Sequence, residues 1–225
     1  MELYNLFYEC LEIEYKELER SANYALRRRG DHLKIYFQHS RGATDWKNNL
    51  DFPAKPYGSM DDFWFAHRGF LGVWQVLKKV IAAVVSDERI RKITVVGYSH
   101  GAAMALFCHE YIKFHRPDIE DIQSYGFGCP RVLWGIQSEK VKRRFHGFTV
   151  VRNPDDAVTN LPPAALGYRH VGEMINISEK GKYSPIEAHF AENILKELEA
   201  YERKRANEIF GSGKLSAILP SRKYR

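Results

Sequence analysis

The sequence predicts an α/β fold, with a mostly parallel central sheet and helices on both faces. Three observations carry that expectation. Strand-like and helix-like stretches alternate along most of the chain. The length, 225 residues, suits one large domain. Hydrophobic residues make up 44%, enough to bury a substantial core and exclude global disorder.

The elements follow in order. Residues 2–28 read as a charged helix ended by Gly30, because Leu3, Phe7, Leu11 and Tyr15 recur at helical spacing. Residues 32–38, "HLKIYFQ", read as a strand, and 39–66 as a polar loop. The apolar stretch 70–85 is helical. Residues 93–96 form a strand, and a helix over 101–114 stops before Pro117. Strands are expected at 124–127, 148–152 and 171–177. A last helix covers 185–205, with Phe190, Ile194, Leu195, Leu198 and Tyr201 on one face. A single domain over 1–210 is thus expected, with 211–225 as a basic, loose tail.

Composition narrows the function. Apolar runs break well short of 18 residues, so no transmembrane helix is read. The acidic N-terminus lacks a basic region followed by an apolar one, so no signal peptide is read. Cys10, Cys108 and Cys129 are odd in number and widely spaced. They suggest neither a disulfide framework nor a metal site, and a reducing, cytoplasmic setting is expected. Net charge is +6, with basic clusters at 27–29, 142–144, 203–205 and 221–225. Solvated surface is the plain reading, and a weak attraction to an anionic membrane surface the sharper one. No nucleic-acid motif accompanies the charge, so no nucleic-acid partner is expected. No metal cluster or phosphate-binding loop is read, so no cofactor is expected.

The chemistry concentrates at Gly97-Tyr98-Ser99-His100-Gly101. A G-x-S-x-G pentapeptide alone is weak, but here a strand precedes it and a helix follows. A serine on so tight a turn has a strained backbone, and flanking glycines remove Cβ clashes. The hydroxyl needs a base, and the base an orienting carboxylate. In this sheet type the order is serine, acid, histidine. Asp155 and Asp156 both follow the strand at 148–152, and either can serve. His170 and His189 follow them. His189 is the favoured base because it follows the last strand, where Ser184-Pro185-Ile186-Glu187 is a capping box.

These blocks together resemble the class 3 lipases, the fungal-type α/β-hydrolases. "IYFQHSRGATDWKNNLDF", "HRGFLGVW", "VVGYSHGAAMAL", "YGFGCPRV", "NPDDAVTNLPP", "YRHVGEM" and "AHF" match that family's motifs in order over about two thirds of the chain. The resemblance implies an α/β-hydrolase fold and a triad of Ser99, Asp156 and His189, with His170 non-catalytic. It further implies an oxyanion hole from the backbone N–H of His100 and from Ser40. The implied activity is serine carboxylic-ester hydrolysis on a lipid or small-molecule ester. A non-catalytic lipase-like scaffold, or an acyltransferase or thioesterase with the same triad, is the alternative. The chain departs from the pattern at Tyr98, usually His, at His100, usually Leu, and at His39, usually Gly. The stretch from Asp156 to His189 is short. The family's lid falls at 41–48, "RGATDWKN", mostly polar with Trp46 as its apolar anchor, which favours soluble or dispersed esters.

Overall fold

The computed structural model describes residues 3–39, 51–59, 62–135 and 138–210. Its main sheet has six strands: β1 Tyr24–Arg29, β2 His32–Phe37, β5 Lys92–Tyr98, β6 Asp121–Phe127, β8 Phe148–Arg152 and β10 Glu173–Asn176. They lie side by side in the order β1-β2-β5-β6-β8-β10. Every pair is parallel except β1 with β2. A second, antiparallel sheet joins β3 Ala54–Ser59, β4 Asp62–His67, β7 Leu133–Trp134 and β9 Tyr168–Arg169.

Helices cover both faces of the main sheet, as expected. Helices α2 (Arg68–Val85) and α3 (His100–His115) pack on one face. Leu33, Ile35 and Phe37 of β2 and Ile93 and Val95 of β5 point towards them. The alternate residues Tyr36, Val96 and Tyr98 face the other side, against α1 (Leu3–Glu12) and α5 (Ala191–Phe210). This two-residue period on strands buried on both sides is the sheet's main stabilisation. Each fully buried large apolar side chain contributes about 1.5–3 kcal/mol. A short helix, α4 (Glu139–Arg144), opens on Ser138, whose hydroxyl accepts from the Val141 N–H. No helix of the described residues is long and apolar enough to cross a membrane.

Three expectations are corrected. The N-terminal helix does not run over 2–28: α1 ends at Glu12, and Tyr24–Arg29 is the antiparallel edge strand. Gly30 at φ 63° sits in the two-residue hairpin loop joining β1 to β2, a backbone angle such loops favour. The loop expected over 39–66 contains the β3–β4 hairpin, in which Trp64 and Ala66 turn inward. Pro56 and Gly58 hide it in the sequence, although proline is compatible with an edge strand. The last helix starts at Ala191, because the chain at Phe190 is extended (ψ 138°) after a 3₁₀ turn, Glu187–His189. Phe190 is therefore off the helix and 43% exposed, while Ile194 and Leu198 fill the expected apolar face. The tail at 211–225 lies outside the described residues.

Candidate functional site

Strand β5 delivers Ser99 to the carboxyl end of the parallel sheet. Ser99 adopts φ 55°, ψ −119°, a conformation rare for a residue with a Cβ. Its N–H donates to the Phe127 carbonyl (2.9 Å), which ties the turn to β6. The flanking glycines have steric reasons. A Cβ on Gly97 would lie 2.1 Å from the Gly101 carbonyl oxygen, and one on Gly101 would lie 2.2 Å from that of Phe37. Helix α3 thus starts pressed against its own strand and the neighbouring one.

The loop after β8 carries both acid candidates and separates them. Asp156 is fully buried, and its Oδ1 accepts from the Val158 N–H (2.8 Å). Its Oδ2 lies 2.7 Å from His189 Nδ1, and His189 Nε2 lies 2.8 Å from Ser99 Oγ. Asp155 points elsewhere. Its carboxylate accepts from the N–H groups of Gly181, Lys182 and Tyr183 at 2.8–3.2 Å. The Gly181 N–H foremost, then those of Tyr183 and Lys182, hold its carboxyl below the usual value. Asp155 therefore folds the loop that leads to His189.

His189 ends the turn that the sequence marks with its capping box. The Ser184 N–H donates to Glu187 Oε2 (3.3 Å), and the Glu187 N–H returns to Ser184 Oγ (3.4 Å). The Ala157 N–H donates to the Pro185 carbonyl (3.0 Å), so the acid loop and the histidine turn hold each other. His170 stands apart. Its Nε2 bonds the Thr159 carbonyl (2.8 Å), and burial pushes its pKa down to about 4. Its ring thus donates to the backbone of the 3₁₀ turn Val158–Asn160. His100 is the first residue of α3 and is buried, its ring edge-on to Phe70. Ser40 and the lid segment with Trp46 lie outside the described residues.

Two contributors to the site escaped the sequence reading. Gly128, at φ 56°, lies directly after β6, and a Cβ there would meet His189 Cε1 at 2.9 Å and Nδ1 at 3.0 Å. Only glycine leaves room for the imidazole, and its place at a strand end in "YGFGCPRV" was the available signal. The other is Tyr98, whose hydroxyl donates to the carbonyl of His189. Its signal was the departure from the family pattern.

The sequence profile of the class 3 lipases matches residues 34–166, more than half of the chain. The chain belongs to the class 3 lipase family. A relative, the secreted mono- and diacylglycerol lipase 1 of Fusarium solani, is 33% identical over 135 residues, 58% of this chain and 39% of that protein. A lipase of Rhizomucor miehei is 30% identical over 154 residues, 64% of this chain and 42% of that protein. The chain thus spans about two fifths of the length of these relatives. The solved triacylglyceride lipase of Rhizomucor miehei superposes with a TM-score of 0.62 at 26% identity, covering 74% of this chain and 66% of that one. A triacylglycerol lipase described as having a serine protease triad at its catalytic centre gives a TM-score of 0.64 at 25% identity, with the same coverage. Within this class 3 lipase chain, Ser99 and Asp156 fall inside the profile match and His189 falls beyond it. The short Asp156–His189 connection is built from 3₁₀ turns, the two-residue β9 and the edge strand β10.

Proposed function

We propose that this chain is a serine carboxylic-ester hydrolase. The observation that carries the reading is one imidazole within hydrogen-bond distance of both a strained serine hydroxyl and a buried carboxylate. In this reading Ser99 Oγ attacks the ester carbonyl as His189 Nε2 takes its proton. Asp156 keeps the His189 tautomer and stabilises the imidazolium. The charge that develops on the carbonyl oxygen falls to the backbone N–H of His100, at the amino end of α3, and to Ser40. His189 returns the proton to the leaving alkoxide, and the alcohol departs from an acyl-Ser99 ester. Water, deprotonated by His189, then releases the acid and restores Ser99.

Ser99→Ala is expected to lower turnover of a p-nitrophenyl ester by more than about 10⁴-fold. It should also abolish labelling by a fluorophosphonate. Undiminished turnover would overturn the reading. Product analysis with added alcohol separates hydrolysis from acyl transfer.

The substrate is proposed to be a soluble or dispersed acyl ester. The support is the polar segment 41–48, whose one large apolar residue is Trp46. An ester chain-length panel run below and above each ester's solubility limit tests this. A rate jump above the limit would reverse it. The net charge of +6 supports a weak attraction to anionic membranes, testable by salt-sensitive binding to anionic vesicles. Cys10, Cys108 and Cys129 are free and buried, which suits the cytoplasmic setting included in this proposal. Several relatives are named as secreted, so partition between cells and medium is the deciding measurement.

A further inference from the structure

Two departures from the family pattern meet each other in space. The rings of His39 and Tyr98 lie 5.3 Å apart at 44°. Tyr98 also flanks the His189 ring at 5.3 Å and 33°. Its hydroxyl donates to the His189 backbone carbonyl, 91 residues away in sequence. Beneath it, Phe7 of α1 meets Tyr98 edge-on at 5.2 Å and packs on Phe127 at 4.7 Å. The tyrosine is 6% exposed, so its ring is held on several sides.

Taking the catalytic reading above as its basis, we propose that Tyr98 is a positioning residue for His189, clamped between His39 and the N-terminal helix α1. The capping box and the Ala157–Pro185 bond hold the start of the His189 turn, but not its last carbonyl. It ends a three-residue 3₁₀ turn, and the next residue, Phe190, is extended. A turn that short fixes its last carbonyl poorly. The O–H bond from Tyr98 pins that carbonyl to β5, the strand that also delivers Ser99. Nucleophile and base are then both referenced to adjacent residues, 98 and 99, a second tie beside the long approach through 177–187. Burial, reinforced by the charge of Asp156, pushes the Tyr98 phenol pKa up, so the hydroxyl keeps its proton across the working pH. The residues of α1 precede the profile match at 34–166, so this support is built by a part of the chain outside that match.

The experiment is Tyr98→Phe, which removes one hydroxyl and keeps the ring. The expected result is a fall in kcat of about 3- to 10-fold with KM unchanged, the scale of one neutral hydrogen bond. The acidic limb of the kcat/KM profile should move to lower pH, because a looser His189–Asp156 contact stabilises the imidazolium less. A purely structural role would shift the thermal midpoint and leave the limb in place. A folded Tyr98→Phe protein with wild-type kcat and limb overturns the proposal. The unmodified protein gives a second measurement: an NMR cross-relaxation signal between the Tyr98 ring and the His189 imidazole is expected. Its absence overturns the proposal even if the variant does not fold. Ser99→Ala run alongside keeps the two readings apart. Turnover retained there overturns the catalytic reading, and this proposal with it. Turnover lost there, beside an unaffected Tyr98→Phe, overturns positioning alone.

Discussion

At the scale of the residue, the two histidines and the two aspartates divide their work by environment. His189 touches Ser99 and Asp156, whereas His170 is spent on the Thr159 carbonyl. His189→Ala is expected to cost ester turnover by more than about 10³-fold. His170→Ala should leave turnover within about 3-fold and lower stability by about 1–2 kcal/mol, the cost of an unpaired buried carbonyl. Parallel kinetics and urea unfolding of the two variants check this, and an inactive His170 variant beside an active His189 variant would reverse the assignment.

At the scale of the element, the strand–turn–helix from β5 to α3 tolerates no side chain at its two glycines. Gly97→Ala places a methyl 2.1 Å from backbone, where nothing flexible can yield. The expected cost is about 3 kcal/mol or more, a drop of roughly 6–12 °C in thermal midpoint. A melt within about 2 °C of wild type would show that the helix can shift outward. The loop after β8 offers a second case. Asp155→Ala removes the acceptor of three N–H groups in 181–183. Amide exchange at Gly181 and Lys182 should speed up by about tenfold or more, and Ser99 labelling should slow. Unchanged exchange would mean that the loop holds without its carboxylate.

At the scale of the whole molecule, two neutral histidines, His109 buried and His170 partly buried, tie stability to pH. Burial pushes His170 down to about 4 and His109, bonded through Nδ1 to Ser124 Oγ at 2.7 Å, down to about 3, against an ordinary 6.5. Both folded values lie below the unfolded one, so the unfolded chain binds more protons in between. Their contribution is complete above about pH 6.5 and declines as pH falls towards 4 and then 3. The thermal midpoint should therefore be lower at about pH 4.5 than at about pH 7.5, with a shallower slope in His170→Gln. Equal slopes would remove His170 from the account. The basic clusters are partly neutralised within the fold: Arg27 pairs with Glu9, Arg28 with Asp87, Lys142 with Glu139 and Arg203 with Glu199. These exposed pairs add little stability but reduce the local field that the sequence charge suggests.

Local pattern alone determined the mostly parallel sheet, the helices read at 70–85 and 101–114, and the Ser99 turn. Periodicity and small-residue sterics act within a few residues, so a sequence displays them directly. The resemblance in motif order ranked Asp156 over Asp155. Local pattern failed where neighbours distant in sequence decide. Strand β1 forms because β2 is there to pair with it, and the β3–β4 hairpin survives Pro56 and Gly58 because Trp64 and Ala66 find a core. The tertiary structure alone showed that Asp156 faces His189 while Asp155 turns to 181–183. It alone showed that Gly128 is the space His189 occupies and that Tyr98 reaches across 91 residues to a carbonyl. Direction and distance between far-separated side chains are properties of packing, and no spacing along the chain encodes them.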